Sequence, residues 1–307
     1  MNTEHNNITC SVRARNPYVS NATPAGYGFF MLKRFIHIGI NECMIAAPTK
    51  ERLEALAFAL LVKLTFVDST IKNTSIRHLT YNLRMGWTRL SRVLKNALRY
   101  GYIVKEGDAY FAPSLKQRGS FNYKAKFDLP SISKTEDGRT AYKLSFLMDY
   151  IRKIVFYNHI KKQDAFRDTA LVVKSPSNKK EFDAKRKRLK RMCGITSVSD
   201  DMLKEAKRLS IRRAMTIMGT KRSKTKSLIK GMISEKAIVR RFENIPVGID
   251  HKQLEKDYAM NQAVYAANKF GGHIHIFKGA VYIQVANHYD LCDGVPELIT
   301  YSPKIKK

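Results

Sequence analysis

The chain has 307 residues, 44% apolar and 27% charged, enough for about two ordinary domains with cores of their own. Its 56 Lys and Arg outnumber 26 Asp and Glu, a formal net charge of +30. Such self-repulsion disfavours a compact chain and points to a polyanionic partner, nucleic acid ahead of an anionic membrane surface. No run reaches the roughly 18–20 uncharged apolar residues of a membrane span; the best stretch, Leu53 to Phe66, carries Lys63. The polar start, residues 1–7, lacks the pattern of a secretory signal, and Cys10, Cys43, Cys193 and Cys292 are too scattered for a zinc knuckle or a disulfide framework. A reducing, cytoplasmic setting without a cofactor is expected.

Residues 1–48 have β character at 28–32 and 35–38 and read as a separate N-terminal segment. Pro48 and Thr49 give a stop and a helix start. Leu53, Leu56, Ala57, Leu60, Leu61 and Leu64 then recur at the i, i+3, i+4, i+7 spacing of an amphipathic helix. A short helix fits 75–83, and a longer one fits 87–100 with Leu90, Val93, Leu94, Ala97 and Leu98 on one face and Gly101 at its end. Residues 102–105 and 109–111 flank Glu106-Gly107-Asp108 as a β-hairpin, closing a first domain over 49–113.

Residues 114–178 read as a linker region, turn-rich to Thr140 and then helical over 141–162 through Leu144, Leu147, Ile151, Ile154 and Val155. That helix is a connector or a homodimer contact. After the break at 175–178, Lys179 to Cys193 forms a basic helix, with Asn178 as N-cap, Glu181 completing a capping box and Gly194 as terminator. Its Arg186, Lys187 and Lys190 suit phosphate contact. The charge is concentrated here: residues 151–250 hold 27 Lys and Arg against 10 Asp and Glu. A second domain spans 179–290, and 291–307 is a basic tail.

The chain repeats itself. With Ser210-Ile211-Arg212 laid on Ser75-Ile76-Arg77, an offset of 135, residues 75–106 and 210–241 align without a gap. Leu83 meets Met218, Arg89 meets Lys224, Val93-Leu94-Lys95 meets Leu228-Ile229-Lys230, and Ile103-Val104-Lys105 meets Ile238-Val239-Arg240. Each copy is a short helix, a tight turn, a longer helix and the start of a strand.

Both copies resemble the winged helix-turn-helix superfamily. In the second, residues 210–219 resemble the first helix with its glycine turn and 220–230 the recognition helix. The first has Gly101 before its strand, where the second has Lys236. The resemblance implies an α+β, mainly helical chain with two winged helix-turn-helix domains joined by a helical linker region. It also implies double-stranded DNA as partner, in the manner of plasmid and phage replication initiators or of transcription regulators, which engage replication or transcription machinery.

A helix enters the major groove when one face is anchored in a core and the other reaches bases and phosphates. In the second copy the anchored face is Thr225, Leu228, Ile229, Met232 and Ile233, and the free positions are Lys221, Arg222, Ser223, Lys224, Lys226, Ser227 and Lys230. In the first copy the free positions are Thr88, Arg89, Ser91, Arg92, Lys95, Asn96 and Arg99, with Lys105 on the following strand. Arg and Asn pair bidentately with base edges while Lys mostly senses phosphate, so the first copy reads as the sequence reader and the second as the clamp. Trp87 reads as a packing residue.

Residues 273–277 and 280–285 around Lys278-Gly279 form a second hairpin, a displaced wing for the second copy with an intervening helix over 251–268. His273 and His275 share a strand face. Their pattern resembles the His-hydrophobic-His metal motif of rolling-circle nickases and relaxases, an alternative in which Tyr282, Tyr289 or Tyr301 would attack phosphate. A second alternative is a protein that packs RNA or DNA by charge alone. Other enzyme signatures are absent, and DNA binding without chemistry is the main expectation.

Overall fold

The computed structural model describes residues 35–72, 76–119, 123–128, 142–174, 178–193, 197–199, 209–242, 244–270, 272–285, 287–293, 295 and 298–300. These are α+β and mainly helical. In chain order they comprise β1 (Phe35–Gly39), α1 (Ile40–Ala46), α2 (Lys50–Thr65), β2 (Thr70–Ile71), α3 (Ile76–Asn82), α4 (Trp87–Arg99), β3 (Val104–Glu106), β4 (Ala109–Phe111), β5 (Tyr123–Asp128) and α5 (Leu144–Lys174). Then follow α6 (Lys179–Cys193), α7 (Ile211–Met218), α8 (Arg222–Ser234), β6 (Ile238–Arg241), β7 (Asn244–Asp250), α9 (Asp257–Phe270), β8 (Gly272–Phe277), β9 (Ala280–Val285), β10 (His288–Leu291) and β11 (Leu298–Thr300). Two units result, one of residues 1–155 and 296–307 and one of 156–295. The strand expected at 28–32 and the terminator Gly194 lie outside the described residues.

The first unit is arranged around α2. The expected amphipathic helix is instead buried on every side, all residues from Leu53 to Thr65 being sequestered. The reason is that the face opposite the leucines is apolar as well (Ala55, Phe58, Ala59, Val62), and α1, α4, β1 and β2 all pack on this helix. Its two buried charges have partners: the Lys63 Nζ donates to the Pro113 carbonyl at 2.7 Å, and Glu54 is met by two arginines of α4. β2, β4 and β3 form one antiparallel sheet, so the hairpin predicted around Gly107 is present.

Four expectations here need correction. The N-terminal segment contributes not only β1 but also α1. The stretch taken as linker contains β5, which lies between β1 and β11 with Ile38 and Leu298 both opposite Ala125. The supposed tail therefore supplies a sheet strand, its Leu-Ile-Thr run being long enough for three paired residues. The helix expected over 141–162 extends to Lys174, and Leu144, Leu147, Ile151, Ile154 and Val155 are all buried within the chain. Their face is used by the chain's own core.

In the second unit α6 forms where expected. The Glu181 N–H donates to the Asn178 side chain at 2.8 Å, and Leu189 packs with Ala170 and Val173 of α5. β7, β9 and β8 form an antiparallel sheet whose one face is covered by α9, with Ile249, Ala259, Ala263 and Val281 at the centre. Gly272 is needed there because a Cβ would lie 2.6 Å from the Gln284 carbonyl oxygen. The β8–β9 hairpin is not a displaced wing on β6, since it pairs with β7 while β6 pairs with β10.

The internal repeat holds at the level of single hydrogen bonds. Helices α4 and α8 begin and end at positions offset by 135. The turn bond from the Met85 N–H to the Thr80 carbonyl recurs from Thr220 to Met215, and the closing bond from Tyr102 to Ala97 recurs from Ala237 to Met232. Leu90, Val93, Leu94 and Ala97 are buried in α4, and Thr225, Leu228, Ile229 and Met232 occupy the same four places in α8. Thr225 is tolerated in place of Leu90 because its hydroxyl bonds Thr220 and the Lys221 carbonyl. Leu98 and Ile233, expected on these anchored faces, are both partly exposed at their edges.

Two turn positions in each copy take the left-handed backbone conformation, and the copies differ in which one is glycine. The first copy has Arg84 (φ 50°) and Gly101 (φ 69°), and the second has Gly219 (φ 58°) and Lys236 (φ 55°). The missing glycine before the second strand therefore leaves the geometry unchanged and imposes a strain on Lys236. A side chain there costs roughly 1–2 kcal/mol, partly offset by the roughly 0.5–1 kcal/mol entropic cost of glycine. Lys236→Gly is expected to stabilise the second unit by about 0.5–1 kcal/mol in urea unfolding; a destabilised variant would contradict this account of the turn.

Candidate nucleic-acid interface

Helix α8 buries four residues and turns the rest outward. Lys221, Arg222, Ser223, Lys224, Lys226, Ser227 and Lys230 are all exposed. Arg212 and Arg213, which sequence reasoning did not single out, are exposed on the preceding α7. Cations in the first turn oppose the helix dipole, and no acidic residue stands there to offset them. α7 is capped by Ser210, whose hydroxyl accepts the Arg213 N–H, but α8 starts at Lys221 without a side-chain cap. Uncapped N–H groups beside lysine and arginine form a natural seat for phosphate oxygens.

α4 also starts without a side-chain cap, at Gly86. Thr88, Arg89, Arg92, Lys95 and Arg99 are exposed, while Ser91 and Asn96 are half-buried. Lys105 is exposed on β3 with its Nζ 5.7 Å from the centre of the Tyr110 ring. Trp87, expected in the core, is 58% exposed at the helix start, which corrects that expectation. It precedes the first buried position of the helix, Leu90, so no anchored face reaches it.

The two arginines expected to read bases are engaged within the chain. Arg89 and Arg92 each bring a guanidinium nitrogen to a different oxygen of Glu54, at 3.0 and 3.1 Å. Glu54 is buried on α2 and both arginines keep an exposed flank. The pair thus neutralises a buried carboxylate and fixes α4 on α2, leaving the cluster with one net positive charge. Glu54 was legible only as an acid inside an apolar run, a signal that called for a basic partner.

Arg186, Lys187 and Lys190 are exposed on α6, Arg186 lying 5.8 Å from the centre of the Phe182 ring. His273 and His275 do share one strand face. Among the described residues, however, no group of three or more His, Cys, Asp and Glu could hold a metal ion. Tyr282 is the cross-strand neighbour of His275, Tyr289 is buried on β10, and Tyr301 lies outside the described residues. Among the described residues no helix is long and apolar enough to cross a membrane.

One histidine near α7 is electrostatically set. Burial on α5, reinforced by the charges of Arg213 and Lys162, pushes His159 down to about 4 from its usual 6.5. It is neutral in the folded chain and takes up a proton on unfolding below about 6.5. Stability present above that pH is therefore lost progressively as pH falls towards 4. A His159→Leu variant is expected to flatten the fall in unfolding free energy over this window, and an unaltered slope would locate the acid sensitivity elsewhere. Glu54→Gln, in turn, is expected to lower stability by about 1–3 kcal/mol, since it strips two charge-assisted bonds from a buried site; unchanged thermal unfolding would dismiss the Glu54 anchor. No family model matches the chain, and no curated protein or solved structure matches it either.

Proposed function

We propose that the chain is a double-stranded DNA-binding protein that uses two winged-helix-like modules, with α8 as the stronger phosphate clamp. The observation that carries this reading is the repeated helix pair: twice, an uncapped, cation-bearing helix is anchored by four buried residues and turns its other face to solvent. The sheet β2-β4-β3 beside α4 supplies the strand hairpin of a wing in the first module. In the second, β6 and β10 take that place in a shorter form. Glu54 qualifies the division of labour, because Arg89 and Arg92 meet DNA only through their exposed flanks. Thr88, Lys95, Asn96 and Arg99 are left to carry more of the first module's readout.

The biological setting that best fits such a build is a phage- or plasmid-type replication initiator, with a transcription regulator as the second reading. The initiator reading is favoured by the paired modules, which suit repeated sites within one origin. Protection of one cluster of direct repeats in a genome-wide footprint would support it, and protection of scattered promoters would support the regulator.

The interface is testable by salt titration. Each lysine that neutralises a phosphate contributes about 0.9 to the slope of log K against log salt. Lys224→Gln/Lys226→Gln/Lys230→Gln is expected to weaken binding to duplexes of any sequence and to make that slope shallower by about 2–3. An unaltered slope would remove α8 from the interface.

A further inference from the structure

The sheet β7-β9-β8 has α9 on one face only, and its other face has a consistent chemistry. In register across it lie His273 opposite Gln284, His275 opposite Tyr282, and Phe277 opposite Ala280, with Asn244 and Pro246 on the far strand. Val281, Ile283 and Val285 alternate to the buried side, which fixes the outward direction of Tyr282 and Gln284. Phe277 is 53% exposed, and the His275 ring stacks with it at 6.4 Å and an interplanar angle of 14°. We propose that this face binds unpaired bases of single-stranded DNA.

The composition of the face selects the occupant. It has flat rings, an imidazole pair and two side-chain amides but no large aliphatic residue, so an apolar protein helix would find little to bury against. Bases stack on rings and hydrogen-bond with amides and imidazoles, whatever their identity. Cations stand at both ends. Lys278 sits at the hairpin tip with its Nζ 5.6 Å from the centre of the Phe277 ring; Arg240 and Arg241 precede β7 with exposed flanks, Arg241 paired with Asp290 at 2.6 Å and Arg240 donating to the Asn287 side chain. Asp250, the acid at the Lys278 end, accepts the Lys252 N–H and so is turned towards the single 3-10 turn His251–Gln253 that follows it. From His273 to Phe277 the strand spans about 13 Å, room for about two or three splayed nucleotides. The choice of DNA over RNA rests on the duplex-DNA reading above, because a strand opened beside the bound duplex is the nearest source of unpaired bases.

The test uses the full chain and two fluorescent probes, an oligo(dT) of about 15 nucleotides and a duplex of the same length. Phe277→Leu/Tyr282→Leu keeps apolar volume but removes the rings. It is expected to weaken oligo(dT) binding at least about 10-fold with duplex affinity within about two-fold of the parent. Unchanged oligo(dT) affinity, or an equal loss on both probes, overturns the proposal, and tighter binding of oligo(U) than of oligo(dT) overturns its assignment to DNA. Should the variant fail to fold, photocrosslinking of bromodeoxyuridine oligonucleotide to the parent chain decides. Adducts on peptides containing His275, Phe277 or Tyr282 support the face, and adducts confined to α4, α6 and α8 refute it. Oligo(dT) binding lost only in the sheet variant, with duplex binding unaltered in the α8 triple variant, upholds the face and overturns the duplex reading; duplex binding lost in the α8 variant, with oligo(dT) binding unaltered in the sheet variant, does the reverse.

Discussion

A helix that carries four cations through its exposed positions is held only by what it buries behind them. In α8 that is Thr225, Leu228, Ile229 and Met232, and in α4 the equivalent Leu90, Val93, Leu94 and Ala97. Burial of such residues contributes about 1.5–3 kcal/mol for each large aliphatic side chain, against repulsion among like charges that is screened by water and salt. The balance lets each helix expose charge without detaching. The same constraint explains why the turns matter. The left-handed residues after α3 and α7, and after α4 and α8, direct each helix into and out of its seat.

The chain resolves its surplus charge differently in its two units. Around α4 an acid from the core, Glu54, draws two arginines inward, so part of the cationic character is spent on cohesion. α8 carries different residues at the equivalent places. The residue equivalent to Arg89 is Lys224 and the one equivalent to Arg92 is Ser227, both exposed. Two copies with one backbone thus differ in the side chains at these two places, and in the first a single acid on a neighbouring helix draws both inward.

Much of this was legible from the residues. The boundaries of α4 follow from apolar spacing and those of α6 from its Asn178 cap, while α8, expected over 220–230, runs on to Ser234; the repeat already paired the turns. What escaped depends on distant partners. α2 has a leucine stripe that reads as one wet and one dry face, yet its second face is apolar too, and only the elements packed around it decide that both are dry. β5 and β11 are short strands in polar surroundings, and each is stabilised by a partner more than a hundred residues away or by β1. Trp87 misled for the opposite reason: its size suggests burial, but it stands one turn too early to reach the anchored face. The exposed face of the β8–β9 hairpin was visible as alternation, whereas its third strand, β7, was not.

The seclusion of α2 has a mechanical meaning. α1, α4, β1 and β2 touch it from different sides, so these elements are joined through it more than through one another. Water cannot reach one side of such a rod while the rest stays dry, and partial opening would expose aliphatic chain that no other element can cover. The first unit therefore yields as one cooperative block, and the cation-bearing α4, tied to that rod by Glu54, inherits its rigidity.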